Sequence, residues 1–164
     1  MPTRDQASRA GAATVPAHRG ALAWSAIGSW VLRVAAATAL GIVALVHWQN
    51  ASAYDAVTAT ISQGQLFRVE AALAVTVGLL VLVRPRPSSW LAALAVAASA
   101  LAAVLLYRYV DVGALGPLPD LYENTWQVPG KLLSAYAEAA AIGLASLGLL
   151  SQRPDPGMEA KKRG

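Results

Sequence analysis

The sequence predicts an all-α membrane protein: a four-transmembrane-helix up-down bundle with both termini cytoplasmic. Three observations carry that reading. The chain is 56% hydrophobic and 13% charged, where a soluble domain carries roughly 25% charged residues. The apolar residues fall in four blocks, each close to the ~20 residues that a helix needs to cross a bilayer. The basic residues gather at one set of block ends.

Composition also excludes chemistry. There are no cysteines, which removes disulfides, thiol redox, iron–sulfur clusters and cysteine zinc sites. The net charge of +4 is no nucleic-acid signature, because the basic residues sit at span ends and tails. There they set topology and meet anionic lipid. The lipid bilayer is the expected environment, and no nucleic acid is expected as a partner.

Residues 1–20 read as a disordered cytoplasmic tail, with Arg4, Arg9 and Arg19 scattered among small residues and no apolar periodicity. A signal peptide is the rival reading, but Arg33 interrupts the apolar run. Residues 21–150 form the transmembrane domain, with spans at about 30–48, 66–83, 90–106 and 131–150. Residues 151–164 are a basic tail ending Lys161-Lys162-Arg163.

Span one has a lead-in from Ala21, with Trp24 and Trp30 at one interface and Trp48 at the other. Arg33 lies one turn inside, where it can snorkel. In the following loop Tyr54, Val57 and Ile61 fall at helical spacing, which predicts a short helix over 55–62. Span two is stopped by Arg84-Pro85-Arg86-Pro87, since proline cannot continue a helix. The short turn makes spans two and three antiparallel neighbours. Span three is alanine-rich, so helix backbones can approach closely; Ala95, Ala98 and Ala102 are its predicted contact face. The connection 110–130 is long, but Leu118, Leu121, Tyr122 and Trp126 argue that it packs. Span four carries an alanine stripe, Ala137, Ala141 and Ala145, with Glu138 set inside it.

An even number of spans puts both termini on one side. That side holds ten basic residues, Arg4, Arg9, Arg19, Arg33, Arg84, Arg86, Arg153, Lys161, Lys162 and Arg163, against Arg68, Arg108 and Lys131 on the other. The richer side is cytoplasmic, which places the chain in the inner (plasma) membrane as a multi-pass protein.

With that topology His47, Arg68, Glu70, Arg108, Asp111, Lys131 and Glu138 collect near the outer interface. Glu70 lies roughly 6 Å and Glu138 roughly 10 Å into their spans. A carboxylate at such depth is costly unless paired, protonated or hydrated. Arg68 and Arg108 are the expected partners across helices, and Ser134 is the only polar group one turn before Glu138. The cluster reads either as a structural ion-pair network or as a ligand pocket under the long loop. No nucleophile–base pair, phosphate-binding glycine loop or metalloprotease pattern is present, and neither a metal nor a cofactor is expected.

Several short motifs carry a resemblance: Val46-His47-Trp48, Tyr54, Gly64-Gln65-Leu66-Phe67, Arg84-Pro85-Arg86 and Ala137-Glu138-Ala139. In these the chain resembles uncharacterised small four-span integral membrane proteins of actinobacteria. It is more loosely similar to DoxX-like membrane proteins, some of them tied to quinone-linked redox chemistry. The sequence favours a non-enzymatic membrane bundle or accessory subunit. A small-molecule or proton-coupled transporter using the outer cluster is the second reading, and a DoxX-like quinone-linked oxidoreductase subunit the third. A second copy or another membrane protein is the expected protein partner.

Overall fold

A computed structural model of the chain describes residues 17–152. Four α-helices make up about three quarters of it: α1 Ala17–Ala51, α2 Gln63–Val83, α3 Pro87–Tyr109 and α4 Lys131–Ser151. Each is long and apolar enough to cross a membrane. Among the described residues there are no strands, only two isolated bridges, Thr58 with Ser62 and Leu115 with Leu118. The expectations for residues 1–16 and 153–164 lie outside the described residues.

The chain divides into two units, one up to Val31 and one from Leu32. The first holds helical residues from Ala17 onward, so the helix starts before the expected tail boundary at residue 20. The second holds the core. Each helix contributes one narrow stripe of small or branched residues. These are Ala36, Leu40, Val43 and Ala44 of α1; Ala71, Ala74, Val77 and Val81 of α2; Trp90, Ala93 and Ala97 of α3; and Ala137, Ala141 and Ala145 of α4. The residues recur every three or four positions, so each set lies on one side of its helix. α3 packs against both α2 and α4, and Gly78 of α2 meets Ala37 and Leu40 of α1.

Small residues determine how close the helices come. Trp90 is the largest buried side chain, 2% exposed, and it fits only because Gly148 faces it. A Cβ on Gly148 would run into the indole. The alanine contact expected for span three is present, but on another face. Ala93, Ala97 and Ala100 are buried, while Ala95, Ala98 and Ala102 are exposed. Alanine occupies so many positions from 92 to 103 that its spacing points to no particular side.

The helix ends follow local chemistry. α2 begins at Gln63, three residues before the expected boundary, because Ser62 and Gln65 form a capping box. The Gln65 amide donates to Ser62 Oγ at 3.0 Å and the Ser62 amide to Gln65 Oε1 at 2.9 Å. It ends at Val83, before Pro85. Pro87 then opens α3 at a position whose missing N–H costs no helical bond.

The expected helix over 55–62 is absent. A 3₁₀ turn at Ser52–Tyr54 follows α1, and the chain then turns until Ser62. Gly64 makes that compact path fit, since a Cβ there would strike the Asp55 carboxylate and the Ala51 carbonyl. The long connection 110–130 packs back on the rest of the chain, as expected. The Ile61 amide donates to Pro117 O at 3.1 Å and the Glu123 amide to Tyr107 O at 2.9 Å. Leu118 and Leu121 turn inward, whereas Tyr122 is exposed.

Enlarging a buried contact residue should therefore cost stability where enlarging its exposed neighbour does not. Ala97→Leu and Gly148→Leu are expected to lower stability by about 1–3 kcal/mol or more through overpacking, and Ala98→Leu to leave it near the parent. Denaturation in a mild detergent measures this. Equal tolerance of Ala97→Leu and Ala98→Leu would contradict the packing face.

Candidate functional site

At the end of the bundle where α1 finishes and α2 begins, the four helices part around a cavity of about 430 Å³. Its walls are mostly apolar: Val46, Leu66, Phe67, Val69, Ala100, Ala103 and Val104, with Leu118 and Leu121 from the long connection. Polar groups enter at defined places: His47 and Asn50 from α1, Gln63 and Glu70 from α2, Tyr107 from α3, and Lys131 and Ser134 from α4.

The aromatic side of the cavity is built around Phe67. The His47 ring meets it edge-on at 5.3 Å and the Tyr54 ring is tilted against it at 5.1 Å. His47 Nδ1 lies 2.9 Å from Val43 O, a contact it makes as a donor, so the acceptor of the neutral ring is Nε2. Asn50 donates to Val46 O at 2.9 Å and to Pro129 O at 3.0 Å, tying α1 to the chain two residues before the start of α4.

Glu123 is the centre of the cover. Its Oε1 accepts from the Tyr54 hydroxyl at 2.7 Å. Lys131 Nζ lies 3.3 Å from Oε2 and donates to the Glu123 carbonyl at 3.0 Å. The Lys131 and Glu123 side chains are 11% and 27% exposed, so this ion pair is shielded from solvent more than an ordinary surface pair. Lys131 Nζ and the Arg108 guanidinium each lie 5.8 Å from the centre of the Trp126 ring.

The predicted site residues do not form one network. His47 and Glu70 line the cavity, as does Lys131. Glu138 lies beneath Ser134 of the wall, whose hydroxyl donates to Glu138 Oε1 at 2.9 Å. Arg68, expected to pair across helices, instead binds Asp55 through two hydrogen bonds of 2.7 and 2.8 Å. Gly64 and Arg68 share a face of α2, and together they receive the Asp55 turn. Arg108 rests against Tyr109 and Trp126 rather than a carboxylate. Asp111 is exposed and closes a local turn by accepting from the Gly113 amide. Neither arginine pairs with Glu138.

Among the described residues, two acids are thus left without a cation. Glu138 is fully buried, and its Oε2 has no hydrogen-bond partner. Glu70 Oε1 is buried and likewise has none. Among the described residues, no three His, Asp or Glu side chains come together as metal ligands.

No family model, curated protein or solved structure matches the chain. Its own residues therefore carry the reading of the site.

Three outcomes check this geometry. Tyr54→Phe removes one hydrogen bond to a carboxylate and is expected to cost about 1–2 kcal/mol; a melt unchanged from the parent would contradict the Glu123 contact. Glu138→Gln keeps the shape without the charge, so it is expected to melt at or above the parent, since no cation is orphaned. A large loss would mean that Glu138 has an ionic partner. The third concerns pH. The hydrogen bonds from Arg68 hold the Asp55 carboxyl below its ordinary 3.8. The folded value being the lower one, this contribution is present above 3.8 and is lost as pH falls through the folded value. The melting difference between the parent and Arg68→Gln is expected to be constant above about pH 5 and to shrink below it. A difference that persists in strong acid would exclude Asp55 as the partner.

Proposed function

We propose that the chain is a non-enzymatic multi-pass protein of the plasma membrane, with both termini cytoplasmic, which binds a small molecule in the cavity at its outer end. Its hydrophobic exposure supports insertion. Leu45, Leu73, Leu79, Leu91, Leu105 and Leu147 all face outward, while the stripes inside are largely alanine. In water such a surface is an association or membrane site; in lipid it is the expected one. The ten-to-three division of basic residues supports the orientation.

The observation that carries the binding reading is the cavity itself. At about 430 Å³ it falls within the ~300–1,000 Å³ of small-molecule sites, and it has their make-up of apolar walls with a few convergent polar groups. A bundle acting only as a scaffold needs no such space. The cavity opens among helix ends assigned to the outer side, so its ligand would enter from outside or from the outer leaflet.

Reporter fusions at Gly164 and within 111–124 test the orientation. A periplasm-active reporter should work only in the loop, and activity at Gly164 would reverse the topology. For binding, 4-phenyl-1-butanol supplies an apolar body with one polar end. It is expected to raise the melting temperature of the parent in a nonionic detergent and to have no effect on Ala100→Phe, which fills the cavity. An identical response from both proteins would place binding elsewhere.

A further inference from the structure

We infer that the cavity is selective for an organic cation, a molecule with an apolar body and an amine or quaternary ammonium head, which Glu70 holds and Glu138 reinforces from below. This rests on the reading of the cavity as a ligand site and names the class of ligand.

Lys131 is the one Lys or Arg lining the cavity, and it is already engaged with Glu123. Arg68 is engaged with Asp55 on the outside, and Arg108 lies against Tyr109 and Trp126. The Lys131–Glu123 pair contributes no net charge. What remains is Glu70 in the wall, with one buried carboxyl oxygen unpartnered, and the fully buried Glu138, also with one oxygen unpartnered. A buried acid without a partner is costly while ionised, and a bound cation is the partner that this arrangement lacks.

The walls select the kind of cation. Magnesium and calcium take about six to eight oxygen ligands, whereas among the described residues no three His, Asp or Glu side chains come together here and most of the lining is apolar. An organic cation needs fewer oxygens. Its apolar body gains from burial against Leu66, Val104 and Leu118, and its head is attracted to aromatic faces. Phe67, Tyr54 and Tyr107 line the same cavity. An anionic head would meet two carboxyl groups and a lysine already neutralised.

Three compounds with one apolar body and different heads test this: 4-phenylbutylammonium, 4-phenyl-1-butanol and 4-phenylbutyrate. Binding is measured by thermal shift and calorimetry on the full chain in a nonionic detergent, with Ala100→Phe as the filled-cavity reference. The ammonium is expected to bind the parent at least tenfold more tightly than the alcohol, with the butyrate weakest. Glu70→Gln is expected to remove the preference for ammonium while retaining the alcohol. If the alcohol binds as tightly as the ammonium and Ala100→Phe loses both, the cavity is a ligand site and cation selectivity is overturned. If no compound binds, or if Ala100→Phe binds all three like the parent, the cavity reading fails and the cation proposal with it. Should Glu70→Gln not fold, the order of the three compounds on the parent still decides.

Discussion

The site depends on the way Glu123 holds the long connection down. One residue ties four parts of the chain together. Its amide bonds the end of α3 at Tyr107, its carboxylate takes the Tyr54 hydroxyl beyond α1, and its carboxylate and carbonyl receive Lys131 at the start of α4. Without that anchor, 110–130 would be held by the Ile61–Pro117 and Asn50–Pro129 hydrogen bonds, by the contacts of Trp126 and by its local turns. With it, Leu118 and Leu121 are held as part of the cavity wall.

The two ends of the bundle use opposite kinds of residue. Near the turn between α2 and α3, packing is tight: Trp90 lies against Gly148, and Val81 and Ala145 are fully buried. At the other end larger and polar side chains keep the helices apart, and the connection covers the gap. Small residues draw helices together, and their replacement by His47, Phe67, Glu70 and Tyr107 leaves space. A polar side chain exposed to that space also retains the option of a partner that the protein does not supply.

Much of the fold could be read in the sequence, for identifiable reasons. Four blocks of continuous apolar residues mark the helices, prolines mark the turn between α2 and α3, and the spacing of Ala137, Ala141 and Ala145 marks the buried face of α4. Glu138 inside that stripe, with Ser134 one turn before it, was equally legible. The capping box at Ser62 and Gln65 was written in the sequence too, but the apolar run drew the boundary to Leu66. The packing face of α3 was not legible, since alanine recurs at too many positions to define a side. Nor was the turn at Asp55: the helical spacing of Tyr54, Val57 and Ile61 is real, but the close approach permitted by Gly64 prevails. Pairing by depth alone offered Arg68 to Glu138, whereas a two-bond contact with a nearby loop carboxylate was available outside the bundle. Tyr54 and Glu123 escaped notice as partners because they lie 69 positions apart, in segments with no periodicity to connect them.

A latched connection covers the cavity among the helix ends. Hydrogen–deuterium exchange of the parent and Glu123→Gln in lipid nanodiscs tests it most directly. The account predicts that amides from Ile61 to Gln63 and from Leu118 to Glu123 are protected in the parent. In the variant they should exchange faster, while the core of α4 around Ala141 and Ala145 remains unchanged. Equal and rapid exchange across 110–130 in both proteins would mean that Glu123 anchors nothing and that the cavity has no fixed cover.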